Sequence, residues 1–143
     1  MSNQIKESSQ TNELEVILKI SAWLDNQPFI IFAVLFGSFA KGRGQNHSDI
    51  DLAIELDKQM TAETKLQLLQ SLGEITDRNI DLVDLKTVGE PLLNQIILHG
   101  KQLKGNQQQF VNLSIKNVNM MQDFSPYIER TLKERRKRLL QNG

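Results

Sequence analysis

The sequence predicts an α/β (α+β) fold, in which a small mixed β-sheet is flanked by helices and followed by a C-terminal helical extension over about 107–143. Segments with strand character alternate with segments of helical periodicity, and this alternation favours that class. The 143 residues suit one compact domain. No internal repeat and no long linker divides them, so we expect a single domain spanning 1–143. We expect about three to five strands with helices on one face, leaving the other face open.

Apolar patterning predicts the strands. Residues 30–36 are continuously apolar, which is typical of a strand covered on both faces. In 49–56 the residues alternate, so that Asp49 and Asp51 point to one face and the leucines and isoleucines to the other. The predicted strands span about 29–36, 49–56, 79–85 and, as a short edge strand, 102–104.

Helical spacing and capping signals predict helices between and after the strands. Thr61 is a candidate N-cap. Pro91 at a first turn and Gly100 just past an end bracket a short helix. The apolar residues at helical spacing after Thr61 should form a buried stripe: Leu66, Leu69, Leu72 and Ile75. The predicted helices span about 12–25, 62–76, 91–99, 110–121 and 126–140, after a polar segment, 1–10, that we expect to be unstructured.

Composition excludes several classes of protein. The 17 Lys and Arg residues balance the 17 Asp and Glu residues, so no overall positive field attracts nucleic acid, and we expect no direct nucleic-acid partner. The absence of cysteine excludes disulfides and thiolate metal sites. No apolar run approaches the ~20 residues that span a bilayer, and the N-terminus carries no apolar signal segment. We therefore expect a cytoplasmic protein without membrane contact.

The region between the first two strands combines features of a phosphate site and a metal site. Gly37 and Ser38 form a tight turn in which backbone N–H groups can approach a ligand closely. Two carboxylates two positions apart on a strand have Cα atoms roughly 6–7 Å apart, so Asp49 and Asp51 could share a pair of hard cations. A turn of this kind beside two acids is typical of a phosphoryl- or nucleotidyl-transfer site.

Gly37-Ser38, a ten-residue spacer and Asp49-Ile50-Asp51 resemble the signature of the DNA polymerase β-type nucleotidyltransferase superfamily. The small size resembles the minimal, MNT-domain branch of that superfamily. The resemblance implies a nucleotidyltransferase-like fold and an antitoxin that transfers AMP from ATP to a hydroxyl, a tyrosine, of a HEPN-domain (HepT-like) ribonuclease toxin. It further implies a hetero-oligomeric complex with that toxin. All-oxygen ligands suit two Mg²⁺ ions, which Mn²⁺ could replace.

Such a site needs a third carboxylate on a neighbouring strand, and residues 79–85 offer two on opposite faces, Asp81 and Asp84. Periodicity does not decide between them, because each acid has two apolar residues on its own face. The resemblance favours Asp81, since the third acid of the family sits early in such a strand. Asp49, Asp51 and Asp81 are thus the predicted catalytic and metal-holding residues.

The remaining predicted nucleotide-binding residues lie in or beside the loop. The Ser38 hydroxyl and the N–H groups of the turn, beginning at Gly37, would donate to phosphates. Lys41 or Arg43 could neutralise the leaving pyrophosphate, or serve only loop solubility. Ser48 could orient Asp49 or cap the strand.

Other polar features are open to a structural reading. His47 and His99 make no zinc site with these acids. The basic run 133–138 is either the solvated face of a terminal helix or a docking surface for an acidic partner or an acceptor tail. Two other functions remain open. One is an antitoxin that acts by stoichiometric binding alone, and the other is a nucleotidyltransferase acting on a small molecule.

Overall fold

The structure, a computed structural model, describes residues 2–40, 49–123, 133–134, 136–138 and 140. Within these ranges, no helix combines the length and the apolar character needed to cross a membrane. The helices and strands, in chain order, are α1 Ser2–Asp25, β1 Ile30–Phe36, α2 Gly37–Ala40, β2 Ile50–Leu56, α3 Ala62–Thr76, β3 Ile80–Asp84, α4 Leu92–His99, β4 Lys101–Lys104 and α5 Gln107–Asp123.

The four strands form one mixed sheet in the order β3-β2-β1-β4. β1 pairs antiparallel with both β2 and β4, whereas β2 and β3 run parallel. The predicted fold class is confirmed, and β4 occupies the sheet edge that its short length predicted. The two strands whose sequences contain the acids are neighbours, so their carboxylates can meet at one end of the sheet.

Helices pack on both faces of the sheet. On one face, α1 and α3 pack against alternate residues of β1 and β2. On the other, α4 and α5 pack against Phe32, Val34 and Phe36 of β1. The expectation that helices cover one face is therefore wrong. The reason is β1 itself, which is apolar at every position and needs both of its faces shielded from water.

The face that carries the acids is partly covered as a result. Ala53 of β2 is fully buried beneath the second layer of helices. Asp51, two residues earlier on the same face, is only half-buried. Among the described residues, this face is therefore more exposed at Asp51, near the end of the sheet where β1 finishes and β2 begins, than at Ala53.

The predicted helix after Thr61 is confirmed, but its buried stripe is partly wrong. The Thr61 hydroxyl accepts a hydrogen bond from the Thr64 N–H at 3.1 Å, which caps α3. Leu68 and Leu72 are buried, whereas Leu66 is 57% exposed. α3 carries leucines at 66, 68, 69 and 72, so two helix phases each present an apolar stripe. Packing against the sheet determines which of the two faces is buried, and the sequence spacing alone does not show this.

Two helix boundaries differ from the predicted ones. α1 begins at Ser2, about ten residues earlier than predicted, in the segment expected to be unstructured. No proline or glycine interrupts 2–25, so the helical conformation can extend through the polar residues. α5 is longer than predicted at both ends. The predicted helix over 126–140 lies largely outside the described residues, of which 133–134, 136–138 and 140 are helical.

The phase of α3 is testable with a matched pair of substitutions. We expect Leu72→Ala to lower the free energy of unfolding by about 2–5 kcal/mol, because it empties a fully buried position. Leu66→Ala, in the same helix, should change it by less than about 0.5 kcal/mol. Urea denaturation of both variants checks the difference, and equal losses would contradict the observed phase.

Candidate active site

The turn after β1 lies directly against Asp51. Gly37 has a φ of +76°, in the left-handed region that side chains disfavour. A Cβ atom added at Gly37 would overlap the Oδ2 atom of Asp51. Glycine is therefore needed for two reasons, the backbone conformation and the close approach of the carboxylate. Ser38, the next residue of the turn, is exposed.

Strand pairing brings two acids side by side. Phe36, the last residue of β1, pairs with Asp51 of β2, and Asp51 pairs with Asp81 of β3. Residues paired in register point to the same face of a sheet. Asp51 and Asp81 therefore face one way from adjacent strands, and Asp49 immediately precedes β2.

The negative charges of this cluster act on one another. Burial raises the pKa of the Asp51 carboxyl above its ordinary value, and the charges of Asp81 and Asp49 raise this pKa further. All three influences disfavour the ionised form of Asp51. A cation beside the three acids would relieve that repulsion, which is the electrostatic requirement of a metal site.

Asp84 is turned away from the cluster. It pairs with Ile54, three residues along β2 from Asp51 and hence on the opposite face. Its Oδ1 atom accepts a hydrogen bond from the Lys86 N–H at 3.0 Å, closing the turn after β3. The choice that periodicity left open thus has a geometric answer: Asp81 lies beside Asp51, and Asp84 caps a turn.

The structure does not describe the other predicted nucleotide-binding residues. Lys41, Arg43 and Ser48, with His47, lie outside the described residues, so their roles stay predictions. His99 is the exposed last residue of α4, directly before Gly100 at the helix end.

Sequence reasoning missed one residue at this end of the sheet. The guanidinium carbon of Arg78 lies 5.1 Å from the centroid of the Phe39 ring, in a cation–π contact. Phe39 follows Ser38 in α2, and Arg78 precedes the strand that carries Asp81. A cation just ahead of an acid-bearing strand is the signal that could have identified it.

The donor chemistry fits magnesium. Three carboxylates offer only hard oxygen ligands, as Mg²⁺ prefers, and Asp51 is held where its negative charge is disfavoured. In the described part of the chain, no three His, Cys, Asp or Glu side chains are already arranged to hold one metal ion. The acids therefore fit the ion by ligand type and charge.

Comparison with known proteins identifies a family for this chain. The sequence model of the family described as "Polymerase beta, Nucleotidyltransferase" matches residues 18–109. The protein adenylyltransferase MntA of Shewanella oneidensis is 34% identical over 113 residues, which cover 79% of each chain. A putative protein adenylyltransferase of Methanocaldococcus jannaschii is 28% identical over 85 residues, covering 58% of this chain and 85% of that one.

Solved structures show the same likeness. One chain in the crystal structure of a toxin–antitoxin with AMP-PNP superimposes with a TM-score of 0.66 at 27% identity, covering 87% of this chain and 96% of that one. A chain in the complex of tri-AMPylated Shewanella oneidensis HEPN toxin with MNT antitoxin gives a TM-score of 0.62 at 28% identity. That match covers 88% of this chain and 97% of the other.

Removing the Asp51 charge should stabilise the metal-free protein. Because the folded-state pKa of Asp51 is raised, its ionisation destabilises the fold above that pKa. The effect vanishes below the ordinary value of 3.8, where the carboxyl is protonated in both the folded and the unfolded state. We expect Asp51→Asn to raise the melting temperature at neutral pH in chelator and to lose that gain at acidic pH. A fall in melting temperature at neutral pH would contradict the arrangement.

The turn can be tested with two glycines. Gly37→Ala should lower the free energy of unfolding by at least about 1–2 kcal/mol, from the left-handed backbone, and should displace the Asp51 carboxylate. Gly89→Ala is the control, because an added Cβ there meets nothing within 4 Å. Thermal denaturation of both variants measures the difference. Equal stability of the two would rule out the close approach of the turn to Asp51.

Proposed function

The chain belongs to the polymerase beta nucleotidyltransferase family, as its motif predicted, and on that premise we propose that it is a protein adenylyltransferase. It transfers AMP from ATP to a hydroxyl, a tyrosine, of a partner HEPN-domain toxin and thereby neutralises it. The observation that supports this most is the alignment of Asp51 with Asp81 on one face, beside a glycine turn that abuts Asp51.

The acids divide the chemical roles. Asp49, Asp51 and Asp81 would hold two Mg²⁺ ions, which stabilise the triphosphate charge and lower the pKa of the acceptor hydroxyl. Asp81, on the exposed side of the cluster, accepts the proton of that hydroxyl as general base. The hydroxyl oxygen bonds to the α-phosphorus while the bond from that phosphorus to the bridging oxygen breaks, and pyrophosphate leaves.

The turn binds the triphosphate. The Ser38 hydroxyl and the backbone N–H groups of the turn donate to phosphate oxygens, and the φ of +76° at Gly37 opens the approach. Lys41 or Arg43 neutralises the leaving pyrophosphate, and Ser48 orients Asp49. These three assignments rest on the sequence motif.

The partner assignment rests on the relatives. MntA of Shewanella oneidensis is a protein adenylyltransferase, and an MNT antitoxin is found in complex with an AMPylated HEPN toxin. We propose the same class of partner and a hetero-oligomeric complex for this chain, acting in the cytoplasm, where a ribonuclease toxin meets its RNA.

A second candidate function is neutralisation by binding alone. It is favoured by the solved toxin–antitoxin complexes, in which antitoxin and toxin stay associated. In that case the acids would bind a nucleotide or a metal without transferring AMP.

Intact mass of the toxin separates the two functions. Wild-type protein, toxin, Mg²⁺ and ATP should add whole AMP units to the toxin, and omission of Mg²⁺ should abolish the transfer. The Asp49→Asn/Asp51→Asn double variant should transfer AMP at least about 10²–10³-fold more slowly, because several kcal/mol of charge stabilisation is lost. A double variant that neutralises the toxin as well as wild type at equal concentration would favour binding alone.

Asp81 and Asp84 give a matched pair on β3. Asp81→Asn should reduce AMP transfer as strongly as the double variant, because it removes both a metal ligand and the base. Asp84→Asn should keep transfer within about twofold of wild type, since Asp84 lies on the other face. If Asp84→Asn were the inactive variant, the assignment of the third acid would be overturned.

A further inference from the structure

Arg78 lies where the strands carrying the acids begin. The Ile50 N–H donates to the carbonyl of Asn79 at 2.9 Å, which joins the start of β2 to the start of β3. Arg78 comes one residue before Asn79 and three before Asp81. Its position is fixed by the end of α3, where Asp77 takes a left-handed φ of 54° and donates its N–H to the Gly73 carbonyl at 2.8 Å. The backbone on either side of Arg78 is therefore fixed, and Arg78 lies at this end of the sheet.

The partner of Arg78 in the cation–π contact is a core residue. Phe39 is 1% exposed and packs in the same cluster as α1, α3 and the inner residues of β1 and β2. The guanidinium of Arg78 lies 5.1 Å from the ring centroid, within the range of an attractive cation–π contact. A planar guanidinium is well suited to stacking on an aromatic ring.

The contact bears on the phosphate-binding turn. The described part of α2, Gly37–Ala40, contains one fully buried side chain, that of Phe39. The Phe39 side chain anchors this turn in the core, and Ser38 is the residue before Phe39. One contact thus connects the turn that faces the triphosphate with the segment that leads to Asp81.

We propose that Arg78 is a positioning residue for the nucleotide: through Phe39 it holds the Gly37–Ala40 turn at the orientation in which the turn and the Asp51–Asp81 pair bind one triphosphate together. This rests on the proposed nucleotidyl transfer and adds a residue to it that lies outside the sequence motif. The prediction concerns nucleotide affinity and not the transfer step, because Arg78 acts through the turn.

The experiment measures KM for ATP and kcat of AMP transfer to the toxin, together with the Kd for AMP-PNP in the presence of Mg²⁺. Arg78→Gln should raise KM and Kd about five- to tenfold and change kcat by less than about threefold. Arg78→Lys keeps a cation over the ring and should restore most of the affinity. If Arg78 only stabilised the fold, Arg78→Lys would not restore KM selectively while kcat stayed unchanged throughout.

The chain contains a matched control. The Lys58 ammonium lies 5.1 Å from the centroid of the Phe29 ring, the same distance, but at the end of the sheet where β1 begins and β2 ends. Lys58→Gln removes an equivalent contact far from Asp51. It should leave KM and Kd unchanged.

A double-mutant cycle tests the route through the ring. Phe39→Leu should raise KM by a similar factor, and adding Arg78→Gln to it should raise KM by less than about twofold more. Additive effects would mean that Arg78 acts independently of Phe39 and would overturn the proposal. Should Phe39→Leu fail to fold, the comparison of Arg78→Gln, Arg78→Lys and Lys58→Gln decides.

The outcomes separate this proposal from the proposed function. If wild type binds AMP-PNP but transfers no AMP, the adenylyltransferase assignment fails and the Kd values still test Arg78. If transfer occurs and Arg78→Gln behaves like Lys58→Gln, the Arg78 proposal alone fails. A wild type that binds no nucleotide in the presence of Mg²⁺ would overturn both.

Discussion

The parallel pairing of β2 with β3 is the constraint on which the site depends. It sets Asp51 opposite Asp81 and, in the same register, Ile54 opposite Asp84. A shift of the pairing by one residue would turn the carboxylate of Asp81 to the other face of the sheet. The hydrogen bond from the Ile50 N–H to Asn79 lies at the first step of this register. The geometry of the acid cluster is a consequence of strand register.

The two layers of helices explain why the site occupies one end of the sheet. β1 is apolar on both faces, so α1 with α3 and α4 with α5 cover it from both sides. Beyond Phe36, where Gly37 turns the chain, the described residues of the acid-bearing face become more exposed. Burial at this boundary raises the pKa of Asp51, and the neighbouring acids raise it further. The packing that stabilises the sheet therefore also disfavours the ionised form of Asp51, and a cation beside the carboxylates would offset this effect.

Helices and strands with local sequence signals could be predicted, whereas features that depend on contacts between distant residues could not. The apolar run before Gly37, the Thr61 cap and the Pro91 and Gly100 brackets are local, and each predicted its element. The choice between Asp81 and Asp84 needed the register with β2, which no residue of β3 encodes. The phase of α3 and the second layer of helices likewise depend on what packs against them. The contact of Arg78 with Phe39 joins residues far apart in sequence, so periodicity could not find it.

The central claim is that the glycine turn and the acids of two strands form a single site for metal ions and triphosphate. A crystal structure with AMP-PNP and Mn²⁺, located by its anomalous signal, tests it most directly. The account predicts manganese peaks liganded by Asp51 and Asp81, with the phosphates against Gly37 and Ser38. Metal and nucleotide bound without Asp81, or a triphosphate seated away from the turn, would contradict it.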